Sequence, residues 1–301
     1  MNKQDITVDV VAALLKEQFP KWAGLPVHPV DVDGNDNTSF RLGDDLLVRL
    51  PSHERYVLGV EKEHRWLPVL AKQLPLPIPR PVAKGKPSNS VFPRIWSVYR
   101  WLEGETAGVA RPSDRTAFAL DVADFLAALY RIDTTGGPQA GEQSFWRGAP
   151  LDRYDRQTRK AIADLGDAVA ADAATSVWNA ALSAPYTKQP VWVHGDVAQN
   201  NLLVLHGRLS GVIDFGTSAI GDPACDTVLA WTFLDGDSRQ AFRERLPVDR
   251  ATWVRGRGWA LWKALTTLAW NPDPNSAFTA ECRRVAADVI AEHEQEARSS
   301  V

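Results

Sequence analysis

The spacing of hydrophobic residues predicts helices near both ends of the chain. From Val8 to Phe19 hydrophobic side chains recur every three or four positions, which is the spacing of one face of a helix. A second helix is expected over residues 57–70. Further segments with helical spacing cover residues 117–129, 153–174, 251–270 and 276–297. Helices are therefore expected to dominate the chain beyond its first hundred residues.

Two short stretches in the first hundred residues have the alternation of strands. Residues 40–42 and 46–50 are separated by Gly43-Asp44-Asp45, a typical hairpin turn, and hydrophobic side chains alternate along the second stretch. Residues 95–102 alternate in the same way. Between these strands, prolines at every second position from 75 to 81 exclude a helix and predict an extended passage.

The order of these elements predicts an α+β chain in two parts. A small N-terminal lobe with an antiparallel sheet is expected over residues 1–104, and a larger, mainly helical lobe over residues 105–301. Two strands that flank Asp196 and Asp214 interrupt the helices of the second part once.

The composition is that of a soluble globular protein, with 45% hydrophobic and 24% charged residues. A net charge of −3 provides no general attraction to nucleic acid or to an acidic membrane. No hydrophobic run approaches the roughly 18 residues that a membrane-spanning helix needs. Cys225 and Cys282 lie in no metal-binding motif. We therefore expect a cytoplasmic protein that binds neither nucleic acid nor membrane.

The charges are divided unevenly between the two parts. Residues 1–104 carry 14 basic and 12 acidic side chains, whereas residues 105–301 carry 20 basic and 25 acidic ones. If phosphate binds in the first part, a cationic partner for the second part is electrostatically favoured.

A hairpin is predicted within the segment that contains the densest group of chemically active residues, 191–216. Residues 202–205 and 209–213 have the pattern of two strands, and His206-Gly207 is a tight turn between them. In an antiparallel hairpin, the start of the first strand lies beside the end of the second.

Three polar side chains are expected at the open end of this hairpin. Asn201 and Asp214 should meet there, and Asp196 lies in the loop just before it. Two carboxylates and one amide oxygen are the hard oxygen ligands that Mg²⁺ prefers. The spacing therefore indicates a catalytic loop followed by a metal-binding loop.

These motifs also carry a resemblance to a known family. His194-Gly-Asp196 with Asn201, and Ile213-Asp-Phe-Gly216, resemble the catalytic and metal-binding loops of the aminoglycoside phosphotransferase family, which has the protein-kinase-like fold. The resemblance extends from the loop near Gly34 to the run Gly221-Asp-Pro-Ala-Cys-Asp226. It implies a two-lobed enzyme that moves the γ-phosphoryl group of ATP to a hydroxyl of a small molecule, with an aminoglycoside as the first candidate and antibiotic resistance as the role.

The resemblance assigns a role to each residue of the two loops. Asp196 would accept the proton of the substrate hydroxyl or orient that hydroxyl, and Asn201 and Asp214 would hold Mg²⁺ on the ATP phosphates. Asp226 would brace the catalytic loop, and His194 would shape it.

In the small lobe, the resemblance implies a site for the phosphates. Arg49 stands where such kinases usually have a lysine that contacts the α- and β-phosphates, and Glu63 matches the helix glutamate that pairs with it. The segment from Gly34 to Ser39 would form the loop over the phosphates, although it lacks the repeated glycines of protein kinases.

The resemblance also places the adenine. The strand that ends near Leu102 resembles the hinge between the lobes, with the backbone of Arg100 and Leu102 facing the adenine edge and Tyr99 just behind.

Several alternatives stay open at this point. Arg49 and Glu63 could form a surface ion pair, and Asp222 and Asp226 could only begin a helix. The substrate could be another antibiotic or a metabolite. A nucleotide-binding pseudokinase and a metal-dependent phosphoesterase are further hypotheses. The sequence does not decide between ATP and GTP, or between a monomer and a weak homodimer.

Overall fold

A five-stranded antiparallel sheet forms the smaller, N-terminal lobe. The computed structural model describes residues 1–31, 34, 36–271, 273 and 275–299. The sheet has the order β1-β2-β3-β5-β4, and two helices accompany it, both over the predicted residues. The elements are β1 (Val27–Pro29), β2 (Asn37–Leu42), β3 (Leu46–Pro51), β4 (Pro81–Gly85), β5 (Trp96–Arg100), α1 (Val8–Gln18) and α2 (Val57–Leu70).

The alternation in β3 separates a core face from a functional face. Leu46, Val48 and Leu50 are buried in a core that Phe40 and Trp96 fill from neighbouring strands. The side chains between them point to the opposite side of the sheet, where α2 packs. This face carries the arginine at position 49.

Two small sheets carry the loops of the larger lobe. Its strands are β6 (Glu105–Thr106), β7 (Val191–Val193), β8 (Leu202–Leu205), β9 (Arg208–Val212) and β10 (Ala219–Gly221). β8 and β9 form the predicted hairpin, β6 lies beside β8, and β10 pairs with β7. His206 and Gly207 have φ angles of 52° and 77°, the positive values that a two-residue hairpin turn requires.

Helices make up most of the remaining lobe. They are α3 (Ala107–Ala110), α4 (Arg115–Tyr130), α5 (Asp155–Leu165), α6 (Ala171–Leu182), α7 (Leu229–Thr232), α8 (Gly236–Arg245), α9 (Arg250–Trp270) and α10 (Ala277–Ser299). α9 is buried along most of its length and packs against α5, α6 and α10. No helix within the described residues is both long and hydrophobic enough to cross a membrane. The two-lobed α+β architecture agrees with the prediction.

The single helix predicted over residues 153–174 is wrong. The structure has α5 and α6 there, separated by a turn at Gly166. Gly166 has a φ angle of 48°, which lies outside the right-handed helical region and ends α5. The hydrophobic spacing continues across this break, so spacing alone could not reveal it.

Candidate active site

Arg49 joins the two lobes through two carboxylates. Its guanidinium lies 3.1 Å from Asp214 Oδ1 and 3.6 Å from Glu63 Oε1. The side chain of Arg49 is 13% exposed and that of Glu63 is 6% exposed, so this is not a surface ion pair. Tyr99 donates a hydrogen bond from its hydroxyl to Glu63, which holds the carboxylate of α2 in place.

A cleft lies between α2, β3 and the loop that follows β9. It encloses about 450 Å³ of empty volume, part of it open to solvent. Its polar lining includes Asp36, Arg49, Glu63, Ser97, Tyr99 and Asp214. Phosphates in this cleft could meet the predicted arginine and Asp214, one of the two predicted metal ligands.

The loop predicted over residues 34–39 is shorter than expected. β2 begins at Asn37, and Ser39 lies in this strand directly opposite Arg49. Gly34 is exposed, and residue 35 between them lies outside the described residues. The sequence reasoning missed Asp36, whose pKa is raised by burial and by the nearby carboxylate of Asp214.

The predicted hinge is only partly available to a nucleotide base. β5 ends at Arg100, and the backbone N–H of Arg100 donates to the carbonyl of Arg80 at 2.9 Å. The Arg100 amide is therefore already engaged. Neither Arg100 nor Leu102 belongs to the described residues that line the cleft. The contact of Arg100 and Leu102 with adenine stays a prediction. At Arg100 the backbone N–H is not available for it, because this group already donates to Arg80.

The catalytic loop follows β7 directly and is shaped by His194. This side chain is buried, and its Nε2 donates to the carbonyl of Ile213 at 3.0 Å. Its Nδ1 accepts from the backbone N–H of Asp196 at 3.3 Å. Both ring nitrogens are thus engaged, one within the loop and one at the end of β9, and the loop-shaping role of His194 stays a prediction.

Asp226 contacts the backbone at the start of this loop. Its carboxylate accepts hydrogen bonds from the backbone N–H groups of His194 (3.0 Å) and Gly195 (2.7 Å). Burial raises its pKa, although the two amides act in the opposite direction. Asp222 instead caps the next turn and forms a buried ion pair with Arg255. The two aspartates therefore have different roles, and Asp226 makes the contacts of a brace.

Asp196 is held by groups on both sides of its carboxylate. The ammonium of Lys263, from α9, lies 2.8 Å from Oδ1. On the other side, the amide nitrogen of Asn201 donates to the Asp196 carbonyl at 2.9 Å and to Oδ2 at 3.3 Å. Burial acts to raise the pKa of Asp196, but Lys263 and other nearby cations bring it down to about 2. Asp196 is therefore ionised at neutral pH.

Asn201 and Asp214 lie at the open end of the hairpin, as the register predicts. The backbone N–H of Ile213 donates to the carbonyl of Asn201 at 2.9 Å, which closes the ladder at this end. The amide nitrogen of Asn201 is bound to Asp196, so its amide oxygen is the atom that can face a cation. A carboxylate and an amide oxygen, completed by phosphates and water, form a donor set that fits Mg²⁺.

Lys62 ties α2 to the loop after Asp214, and the sequence reasoning did not single it out. Its ammonium donates to the carbonyls of Gly216 (2.7 Å), Ser218 (2.8 Å) and Gln143 (3.0 Å). Burial lowers the pKa of Lys62 to about 8. The sequence carries no signal for this contact, because consecutive residues of a helix point about 100° apart, and the position of Lys62 beside Glu63 does not aim it at the same site.

A comparison with protein families places the whole site within one match. The model of the phosphotransferase enzyme family matches residues 29–263, which include both loops and strands β2 to β5 of the small-lobe sheet. A curated relative, aminoglycoside 3'-phosphotransferase of Escherichia coli, is 36% identical over 62 residues. That match covers 21% of this chain and 22% of the relative's length.

Solved structures share the fold over almost the whole chain. The GDP complex of aminoglycoside 2'-phosphotransferase-IIIa superposes with a TM-score of 0.71 at 21% identity, over 97% of this chain and 100% of that one. A macrolide 2'-phosphotransferase from Brachybacterium faecium superposes with a TM-score of 0.60 at 21% identity, over 94% and 98% of the two chains. At these identities the likeness establishes the fold alone.

Proposed function

The chain belongs to the phosphotransferase enzyme family, and from this premise we propose that it transfers the γ-phosphoryl group of ATP to a hydroxyl of a small molecule. One observation carries the proposal. Asp196, Asn201 and Asp214 come together at the open end of a hairpin, and Arg49 contacts Asp214 directly, at 3.1 Å, beside a cleft that both residues line. An acceptor-orienting carboxylate, a pair of metal ligands and a phosphate-binding cation are the parts that phosphoryl transfer needs.

Asp196 acts mainly by orienting the acceptor hydroxyl. A carboxylate whose pKa is about 2 is a weak base, so early removal of the hydroxyl proton is not its main contribution. As the acceptor oxygen bonds to the γ-phosphorus, the bond from that phosphorus to the β,γ-bridging oxygen breaks. ADP keeps that electron pair, and the acceptor proton passes to Asp196 or to water.

Asn201 and Asp214 would hold the magnesium ion, which supplies charge neutralisation on the phosphates when it is bound. Asp214 now shares its carboxylate with Arg49 at 3.1 Å. When a cation and phosphates enter the cleft, the guanidinium can turn from Asp214 to the phosphates, because its planar fork binds phosphate oxygens in pairs.

For the acceptor, an aminoglycoside is the first candidate. The relative in Escherichia coli is named as an aminoglycoside phosphotransferase, and one solved structure of similar fold is titled as a complex with GDP and kanamycin. The excess of acidic residues over residues 105–301 also favours a cationic acceptor.

A macrolide or another weakly charged hydroxyl compound is the second candidate. The observation in its favour is that two cations, Lys263 and Arg147, are near the carboxylate of Asp196. A polycationic acceptor must approach against both of them, whereas a neutral one need not.

The remaining expectations belong to the same proposal. A pseudokinase does not need the two polar side chains, Asn201 and Lys263, that hold Asp196, so their presence supports catalysis. We place the protein in the cytoplasm, where ATP is abundant, and keep a monomer or weak homodimer as the expected state. GTP is retained as an alternative donor, because three of the structures of similar fold are titled as GDP complexes.

A coupled assay of nucleoside-diphosphate release tests the proposal. Mg·ATP and Mg·GTP are each combined with aminoglycosides, macrolides and small amino alcohols, using the wild type, Asp196→Ala and the control Asp172→Ala at an exposed position of α6. We expect acceptor-dependent release that Asp196→Ala abolishes and Asp172→Ala leaves intact. ATP affinity should change by no more than a few-fold in Asp196→Ala. A wild type that binds neither nucleotide would overturn the proposal.

A further inference from the structure

Among the described residues of α9, only Lys263 forms an ion pair with the catalytic loop. It lies near the C-terminal end of this helix, 67 residues after Asp196, and its ammonium is 2.8 Å from Asp196 Oδ1. The side chain is 38% exposed, so it is neither locked in the core nor fully solvated. A lysine in this position can move its charge without a change in the backbone.

The neighbouring cation is held much more rigidly. The guanidinium of Arg147 stacks 4.5 Å from the ring centre of Trp262 and 5.5 Å from that of Trp259. These stacking contacts fix its plane and position. Lys263 has no comparable aromatic contact among the described residues. Of the two cations, Lys263 is therefore the one that can follow a ligand.

Charge explains why a mobile cation is needed at this point. In the proposed function, the γ-phosphoryl group must come close to the ionised carboxylate of Asp196, and two anions at short range repel each other. In the proposed function, Arg49 and Asp214 would meet the phosphates at the cleft that they line. Lys263 contacts Oδ1 of Asp196, whereas Asn201 contacts Oδ2 and the backbone carbonyl, so the ammonium lies beside the carboxylate that would orient the acceptor.

We propose that Lys263 is a catalytic residue that moves from Asp196 to the transferring γ-phosphoryl group and neutralises it on the acceptor side. The inference rests on the proposed function. Before ATP binds, the ammonium of Lys263 is held by the Asp196 carboxylate. When ATP is present, it bridges that carboxylate and a γ-phosphoryl oxygen. As the acceptor oxygen bonds to phosphorus and ADP leaves with the electron pair of the broken bond, the ammonium keeps its proton and stays with the phosphorylated product until release.

Nucleotide binding tests this inference without an acceptor. Affinities for Mg·ATP and Mg·ADP are measured by calorimetry for the wild type, Lys263→Met, Lys263→Arg and the control Lys188→Met. Lys188 forms a similar ion pair, 2.9 Å from Asp249, on the surface. We expect Lys263→Met to lose about 10-fold in ATP affinity while ADP affinity stays within about twofold, because only ATP carries the γ-phosphoryl group. Lys263→Arg should keep most of the wild type's affinity for ATP relative to ADP, and Lys188→Met should keep all of it.

Turnover provides a second readout, with an acceptor that the coupled assay identifies. Lys263→Met should lower kcat by about 10²–10³ with a smaller change in the KM of the acceptor, as loss of one charge-stabilising donor does in other enzymes.

The outcomes separate this inference from the proposed function. Equal losses of ATP and ADP affinity, or none, would make Lys263 a structural partner of Asp196 and overturn the inference alone. A rise only in the KM of the acceptor would assign Lys263 to acceptor binding and also overturn it. Absence of nucleotide binding by the wild type would overturn the proposed function and, with it, the inference.

Discussion

Arg49 stands where a lysine is usual in related kinases, and its surroundings suit an arginine. Two carboxylates from different elements, Glu63 and Asp214, lie on different nitrogens of the same guanidinium. A lysine ammonium is a single point charge and could not serve both with the same geometry. The arginine therefore bridges α2 and the loop that carries Asp214, and in the proposed function it would also supply the cation for the phosphates.

Removal of this cation should weaken nucleotide binding. We expect Arg49→Ala to raise the KM for ATP by about 10-fold, since a charge-assisted contact to phosphate is lost. Arg49→Lys should recover part of the loss. Steady-state kinetics at saturating acceptor measure both values. An unchanged KM in Arg49→Ala would show that Arg49 serves only the ion pairs seen here.

Lys62 should make the stability of the protein depend on pH in the alkaline range. Its pKa is about 8 in the folded protein and 10.5 ordinarily, so between these values the unfolded chain holds more protons than the folded one. The contribution of Lys62 to the free energy of unfolding therefore rises with pH across this window, by roughly 3 kcal/mol in total.

Urea unfolding of the wild type and Lys62→Met at pH 7, 9 and 10.5 measures this effect. The variant leaves three backbone carbonyls without their donor, so it should be less stable than the wild type at high pH. The free energy of unfolding of the wild type should exceed that of Lys62→Met by an amount that grows with pH, because only the wild type has the lysine whose titration adds stability. A difference that is constant across this range would contradict the assignment.

At the scale of elements, α9 supports the catalytic loop through an intermediate segment. Gly256 of α9 packs on the turn Pro223–Val228, where a Cβ at position 256 would lie 2.0 Å from Thr227 Oγ1. Asp226 in the same turn holds the amides of His194 and Gly195. The glycine is therefore required by close approach, and the turn transmits the position of α9 to the loop.

Gly256→Ala should destabilise the protein by about 1–3 kcal/mol, because an added methyl group forces Thr227 and its turn to move. Gly59→Ala in α2 is the matched control, since a Cβ there meets no atom within 4 Å. Both changes remove a glycine from a helix, but the control should be stabilised by about 0.5–1 kcal/mol. Thermal unfolding of both variants checks the pair. Equal effects at the two positions would exclude the packing explanation.

At the scale of the whole molecule, charged side chains beside the cleft connect the two lobes. Arg49 contacts Asp214, and Lys62 contacts the loop that follows Asp214, at Gly216. A ligand that replaces these contacts with stronger ones should stabilise both lobes together.

Mg·ATP should therefore raise the unfolding temperature of the whole chain. At 100 times its dissociation constant, a ligand adds about 2.7 kcal/mol to the free energy of unfolding. In the wild type, part of this stabilisation should depend on Mg²⁺ and be lost when EDTA is added. In Asp214→Ala this magnesium-dependent part should be absent, because a proposed metal ligand is lost. Differential scanning fluorimetry with ATP, with and without Mg²⁺, measures it. An equal magnesium-dependent shift in the variant would show that Asp214 does not bind the metal.

The sequence by itself determined the features that depend on neighbouring residues. Alternation placed Arg49 on the face opposite the core, and hairpin register brought Asn201 beside Asp214. These relations follow from the periodicity of a strand and the geometry of a tight turn, which a short stretch of chain specifies.

Only the tertiary structure decided which distant groups meet these residues. Lys263 reaches Asp196 across 67 positions of the sequence, and Lys62 reaches Gly216 across 154. Such contacts depend on how whole helices pack, and packing is set by the fit of many side chains at once rather than by a local period. The break at Gly166 belongs to the same class, because the hydrophobic spacing continues through it while the backbone turns. The candidate site residues were therefore visible in the sequence, but Lys263 and Lys62, the cations that contact Asp196 and the loop after Asp214, were not.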